Sequence, residues 1–202
     1  MPQLVIATSN VHKVQEVVAM LGEGWQVQGL RDHPGVTLPE ETGATFAENA
    51  ILKALGASAA LPGLLVLADD SGLEVDVLNG APGVWSARYA GEGATDAQNR
   101  AKLKENLHTQ TVYPGQTFAA RFRCCLALVR DGDVLHVTHG TVEGHLLLHE
   151  KGEGGFGYDS LFVPRGASET FGVLPAEVKN QFSHRARALA EMRAWMLEKG
   201  IV

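Results

Sequence analysis

The chain has 202 residues, 45% hydrophobic and 20% charged, which is enough to bury a core and ordinary for a globular protein. Its formal net charge of −6 argues against the broad basic face that long nucleic acid demands, although a local cluster of Lys and Arg still binds a small anion on an acidic protein. The longest apolar runs, such as Leu64 to Ala68, are too short to span a bilayer, and the first residues form no basic and then apolar leader, so the expectation is a cytoplasmic protein without a membrane partner.

Taken in chain order, Leu4 to Ala7 is a short apolar run that reads as a buried strand. Thr8-Ser9-Asn10 stops it and caps a helix that carries Val14, Val17, Val18 and Leu21 on one face and ends at Gly22 and Gly24. Trp25 to Gly29 is a candidate second strand. After a Gly/Pro-rich loop and Glu40-Glu41-Thr42-Gly43, a helix is expected from about Thr45 to Leu61, closed by Pro62-Gly63. Leu64 to Ala68 is a buried strand that runs into Asp69-Asp70-Ser71-Gly72, and the alternation of Leu73, Val75 and Val77 with acids predicts a further half-buried strand. Ala94 to Leu107 reads as a helix, with Thr95 and Gln98 at capping-box spacing. Phe118, Phe122, Cys124, Leu126 and Leu128 fall on one side of a long strand, Asp131-Gly132 is a hairpin turn, and Val134 to Gly144 returns. A glycine-rich loop, Glu153 to Asp159, follows, and Ser183 caps a last helix through Leu197. Interleaved helices and strands predict an α/β fold with a mixed sheet and flanking helices. No repeat or linker divides it, so residues 1–202 read as one domain, with the long hairpin as part of a second lobe.

Four clusters carry chemistry. Thr8, Ser9, Asn10, Val11, His12 and Lys13 form a helix start, where free N–H groups, the positive dipole end and a full charge favour an anion. Glu41 is followed by Glu48, Asn49 and Lys53, and the helix residues taken alone read as a solvated polar face. Asp69 and Asp70 leave a buried strand, a costly place for acids without partners and, at a strand's carboxyl end, a suitable one for a Mg²⁺ ligand or a base; the alternative is a capping turn. The last cluster joins Gly154 to Asp159, Lys179, Ser183, His184 and Arg185: a loop whose own backbone can approach a ligand closely, with Phe156 and Tyr158 as stacking faces and donors at a helix start. The histidines lack the spacing of a zinc site. Cys124 and Cys125 are neighbours in a strand, point to opposite faces and read as small apolar residues, neither disulfide nor chelate.

Together these segments resemble the inosine triphosphate pyrophosphatase family, the dITP/XTP pyrophosphatases. The matching pieces are ATSNVHK, EETGATFAENAILKA, ADDSGLEVDVLNGAPGVWSARYAG, GGFGYDSLF and SHRARAL, in family order from residue 7 to residue 189. The resemblance implies an elongated α/β fold of two lobes with a central cleft, a homodimer, a Mg²⁺ requirement, and a nucleoside triphosphate as the small-molecule partner. It implies that Thr8, Ser9, Asn10, Val11, His12 and Lys13 hold the triphosphate, that Lys53 contacts phosphate, that Asp70 is the catalytic acid/base and a metal ligand, and that Glu41 lies near the metal. Ser71, Phe156, Gly157, Tyr158, Asp159, Lys179, His184 and Arg185 would hold sugar and base. Two positions depart from the family's pattern: Ser9 stands where Gly is usual and Ser160 where Pro is common.

The reaction so implied cleaves ITP, dITP or XTP to the monophosphate and pyrophosphate. Hypoxanthine and xanthine present a 6-keto acceptor where adenine presents a donor, so a donor from His184, Arg185, Lys179 or a loop N–H would discriminate. Two other classes are open to a sequence of this kind: a related pyrophosphatase of the Maf type, against which the GGFGYD and SHR pieces weigh, and a nucleotide-binding regulator without catalysis, against which the presence of Asp70, Glu41 and Lys13 weighs.

Overall fold

A computed structural model describes residues 1–110, 113 and 115–201. Six strands, β1 (Gln3–Ile6), β2 (Gln26–Gly29), β3 (Leu65–Val75), β4 (Phe118–Arg130), β5 (Asp133–Leu146) and β6 (Phe162–Pro164), form one sheet in the order β2-β1-β3-β4-β5-β6. β1 pairs in parallel with β2 and β3, while β5 and β6 pair antiparallel. The helices are α1 (Val11–Leu21), α2 (Phe46–Ala59), α3 (Asp96–His108), α4 (Ala176–Phe182) and α5 (His184–Glu198). The fold is α/β with a mixed sheet, as the interleaved patterns predict.

Local sequence explains the boundaries. Asn10 caps α1, its side chain accepting from the His12 and Lys13 N–H groups, and Gly22 ends the helix at φ +73. Thr45 with Glu48 and Thr95 with Gln98 form capping boxes on α2 and α3. Asp131 and Gly132 take positive φ between β4 and β5, as a tight hairpin requires. Val77, expected in a strand, lies in a short 3-10 turn over Asp76–Leu78.

The chain forms two compact units, the first of residues 1–70, 124–140 and 184–202, the second of residues 71–123 and 141–183. In the first unit, strand parity sorts side chains into two apolar layers. Leu4, Ile6, Leu65, Leu67, Cys124, Leu126 and Leu128 pack with α1 and α5 through Val17, Leu21, Ala188, Leu189, Met192 and Met196. Their neighbours Val5, Ala7, Val66, Ala68, Cys125, Ala127 and Val129 pack on the other face with Ala50, Ala54 and Ala57 of α2. These strands are buried on both faces, hence their unbroken apolar runs. The two cysteines are free and sit in different layers. The second unit packs Leu73, Val75, Phe118, Phe122 and Val142 against Leu103 and Leu107 of α3 and against Tyr158, Phe162 and Phe171.

Two expectations are corrected here. Asp69, Asp70, Ser71 and Gly72 do not end a strand or form a turn; they lie inside the eleven residues of β3. An acid mid-strand is tolerated because each has a cationic partner on its own face, described below. Asn49 and Lys53 are not a solvated face either: they are 0% and 6% exposed, since α2 turns them toward the even-numbered face of β3 where Asp70 waits.

Candidate active site

Parity also decides what each acid meets. Asp69 continues the odd series Leu65, Leu67 toward α1 and α5, and Asp70 continues the even series Val66, Ala68 toward α2. Asp69, 1% exposed, takes the Arg185 guanidinium, Nε to Oδ2 at 2.8 Å, the Lys13 ammonium on Oδ1, and the Cys124 thiol on Oδ2 at 3.1 Å. Arg185 also pairs with Glu16 and is fully buried. Burial alone would push the Asp69 carboxyl up, but Arg185 and then Lys13 outweigh it and hold the group well below the usual carboxylate range. Asp69 is therefore an anchor that is ionised at neutral pH.

Asp70 is held differently. Lys53 Nζ donates to Asp70 Oδ1 at 2.9 Å and to Glu41 Oε1 at 2.6 Å. Asn49 Nδ2 donates to Asp70 Oδ2 at 3.3 Å, and Asn49 Oδ1 accepts from the Gly43 N–H at 2.7 Å. That last bond ties the Glu41 loop to α2, and it needs glycine at position 43, where a Cβ would sit 2.7 Å from the same oxygen. Burial pushes the Asp70 carboxyl above its ordinary value despite Lys53. Lys53 is pulled down by burial, its largest single influence, yet Asp70 and Glu41 together raise it, so the ammonium stays charged.

The remaining candidate residues of the first unit lie at the starts of α1 and α5. Thr8 Oγ1 accepts from the Asn10 N–H at 3.1 Å, shaping the turn that opens α1; Ser9, Val11 and His12 are exposed and Lys13 is half-buried. His184 opens α5 and is 4% exposed. Gly140 of β5 lets α5 approach: a Cβ there would lie 1.9 Å from the His184 carbonyl oxygen.

In the second unit, Ser71 follows Asp70 along β3, and the glycine-rich loop is organised by Asp159. Its Oδ2 accepts from the Phe156 N–H at 2.9 Å and from Lys179 Nζ at 2.6 Å, and both charged side chains are nearly inaccessible. Lys179 Nζ also lies 4.9 Å from the Phe156 ring centroid and 5.5 Å from that of Phe171. Tyr158, expected as a stacking face, is 4% exposed within the apolar core, and its hydroxyl donates to the Ser86 carbonyl at 2.8 Å. The turns of the loop bury Tyr158 and leave Phe156 as its half-buried ring.

Thus the structure gathers Lys13 and Arg185 on Asp69, Glu41 and Asp70 on Lys53, and Phe156, Asp159 and Lys179 on one another. One partner escapes the sequence reading, and another is named there but read as solvated. Glu16 lies among the polar positions of α1, and nothing local marks it. Asn49 carried a signal, a polar residue on the stripe that holds Ala50 and Ala54, but a polar side chain in a helix reads as solvated until its acid partner is known.

The Ham1 family model matches residues 4–195. The chain belongs to the Ham1 family. It is 50% identical over 188 residues to the dITP/XTP pyrophosphatase of Desulforamulus reducens, covering 93% of this chain and 92% of that one. It is 44% identical to the dITP/XTP pyrophosphatase of Geobacter sulfurreducens over the full length of both. Among solved structures, a HAM1 protein from Coxiella burnetii superposes with a TM-score of 0.84 at 37% identity, over 98% of this chain and 100% of that one. The Ham1 protein of Staphylococcus aureus gives 0.82 at 38% identity, over 98% and 99%.

Proposed function

We propose that this Ham1-family chain hydrolyses non-standard purine nucleoside triphosphates, dITP, ITP and XTP, to the monophosphate and pyrophosphate, and so clears them from the nucleotide pool. The observation that carries the reading is the pair of carboxylates, Glu41 and Asp70, converging on Lys53 in a chain whose relatives are named for this reaction.

The donor set fits a hard divalent cation. Two carboxylates from different segments already meet at one cationic point, and Glu16, Glu41, Asp69 and Asp70 outnumber Lys13, Lys53 and Arg185 by one among the groups described. Among the described residues no three His, Cys, Asp or Glu side chains gather for a metal, so the remaining ligands would be phosphate oxygens and water, as Mg²⁺ prefers. Glu41 and Asp70 would hold it. When bound, Mg²⁺ neutralises phosphate charge and lowers the cost of ionising water.

The chain's own residues supply the rest. A water oxygen attacks the α-phosphorus, the bond from that phosphorus to the bridging oxygen breaks, and pyrophosphate leaves with the electron pair. Asp70 accepts the water's proton. Lys53 and Lys13 offset charge on the departing pyrophosphate. Asp69, anchored by Arg185, holds Lys13 at the start of α1, where the positive end of the helix dipole favours phosphate. Phe156 is the stacking face for the purine, Lys179 and Asp159 support it, Gly157 shapes the loop beside it, and donors from the set of Ser71, His184 and Arg185 meet sugar and base. No helix among the described residues is long and apolar enough to cross a membrane. A cytoplasmic location and a homodimer belong to this proposal and are carried by the family resemblance alone.

Pyrophosphate release measured across ITP, dITP, XTP, ATP, GTP and a pyrimidine triphosphate, with Mg²⁺ present, tests the reading. The three non-standard purines should lead by orders of magnitude in kcat/KM. If ATP or the pyrimidine nucleotide proves best, the substrate assignment fails.

A further inference from the structure

Asp96 and Arg100 stand one turn apart on α3 and belong to none of the site residues above. Both reach the same residue of the glycine-rich loop. The Gly157 N–H donates to Asp96 Oδ2 at 2.6 Å, and Arg100 Nη1 donates to the Gly157 carbonyl at 2.8 Å. Arg100 is itself fixed, its Nε on Glu150 Oε2 at 2.9 Å, with Lys104 Nζ on the other Glu150 oxygen at 2.7 Å. Gly157 thus has its amide and carbonyl clasped by two side chains of a helix whose Leu103 and Leu107 are rooted in the core.

The clasp matters because of what it flanks. Phe156 lies between Gly155 at φ +72 and Gly157 at φ +60, two residues that lose more freedom on ordering than any other type. An untethered ring between two glycines would sample many directions, and a ligand that needs one of them would bear the ordering cost. Here the Phe156 N–H is held by Asp159, the Phe156–Gly157 peptide is held by Asp96 through the Gly157 N–H, and the next peptide is held by Arg100 through the Gly157 carbonyl. The backbone of Phe156 is pinned at both ends.

We propose that Asp96 and Arg100 are positioning residues for base recognition: by clasping Gly157 they pre-orient the Phe156 ring as the stacking face for a purine. This rests on the function proposed above. Arg100 carries the larger share, because it is partly buried while Asp96 is exposed and its bond competes with water.

The test separates base from phosphate with the products of the reaction. In the full chain, Arg100→Met should raise KM for ITP and weaken competitive inhibition by IMP, each by about tenfold, the effect of losing one charge-assisted hydrogen bond. It should leave inhibition by pyrophosphate and kcat within about twofold. Asp96→Ala should act in the same direction by about threefold, and Asp96→Asn, which keeps an oxygen for the Gly157 N–H, should restore the wild-type constants. Because Asp96 is exposed, its variants keep the inference testable even where Arg100→Met folds poorly. Thr95→Ala, which uncaps α3 without touching Gly157, should lower the melting temperature and leave IMP inhibition unchanged. Equal weakening of IMP and pyrophosphate, or IMP constants unchanged in both Arg100→Met and Asp96→Ala, overturns the inference while wild-type ITP hydrolysis stands. Absence of ITP hydrolysis by the wild type overturns the proposed function instead.

Discussion

Arg185→Met removes a fully buried guanidinium and keeps most of its apolar stem. The variant loses the Nε bond to Asp69 at 2.8 Å and the pairing with Glu16, and leaves Asp69 with Lys13 and the Cys124 thiol. Breaking one partner out of a buried ion pair costs about 3–5 kcal/mol, because the other charge stays behind uncompensated. The surviving Lys13 contact sets the lower end, about 3 kcal/mol. For a chain of this size each kcal/mol moves the melting temperature by roughly 2–4 °C, so a fall of about 6–12 °C is expected at neutral pH, read by calorimetry or circular dichroism. The pH dependence has a definite sign. Asp69 is depressed in the folded protein, so its contribution is present above the unfolded-state pKa and is lost as the pH falls through the folded value. The gap between wild type and variant should hold from about pH 7 to about pH 5 and narrow only in stronger acid. Pairing Asp69→Asn with Arg185→Met removes the stranded carboxylate, and the double variant should recover at least about 1 kcal/mol relative to the sum of the singles. A melting temperature within about 2 °C of wild type at pH 7, or strictly additive variants, would refute the picture of Asp69 as an anchored buried charge.

Asp70→Asn should lose most of kcat, yet melt no lower than wild type at neutral pH. The reason is that burial raises the Asp70 carboxyl, so the ionised group costs stability above its unfolded pKa and the neutral amide relieves it; a melting point several degrees lower would show that Lys53's attraction outweighs burial. Lys13→Ala and Lys53→Ala should weaken ITP and GTP by similar factors, since both ammonium groups are assigned to phosphates; a selective loss of ITP in either would move that residue to the base. Chelation by EDTA should abolish pyrophosphate release and added Mg²⁺ restore it, and full turnover in metal-free buffer would remove Glu41 and Asp70 from a metal-holding role. Tyr158→Phe should cost about 1 kcal/mol of stability, the worth of its hydroxyl bond to Ser86, and leave the preference for ITP over ATP intact; a changed preference would return Tyr158 to the base pocket.

Much of this was legible from local chemistry. Helix caps at Asn10, Thr45 and Thr95, the turn at Asp131-Gly132, and the unbroken apolar strands are decided within a few residues of one another, because backbone hydrogen bonding and left-handed φ are short-range matters. The family, too, follows from the order of five motifs along the chain. What local chemistry could not decide was the fate of each charge. Read alone, Asp69-Asp70 is the end of a buried strand, Lys53 a solvated lysine and Tyr158 a ring on a loop. Only tertiary packing places Arg185 against Asp69, 116 positions away, and Lys53 against Asp70, and so keeps both acids inside a continuous strand. The physical reason is desolvation: a buried carboxylate stands only where an opposite charge arrives on its own face, and strand parity together with the helix above it determines which charge that is.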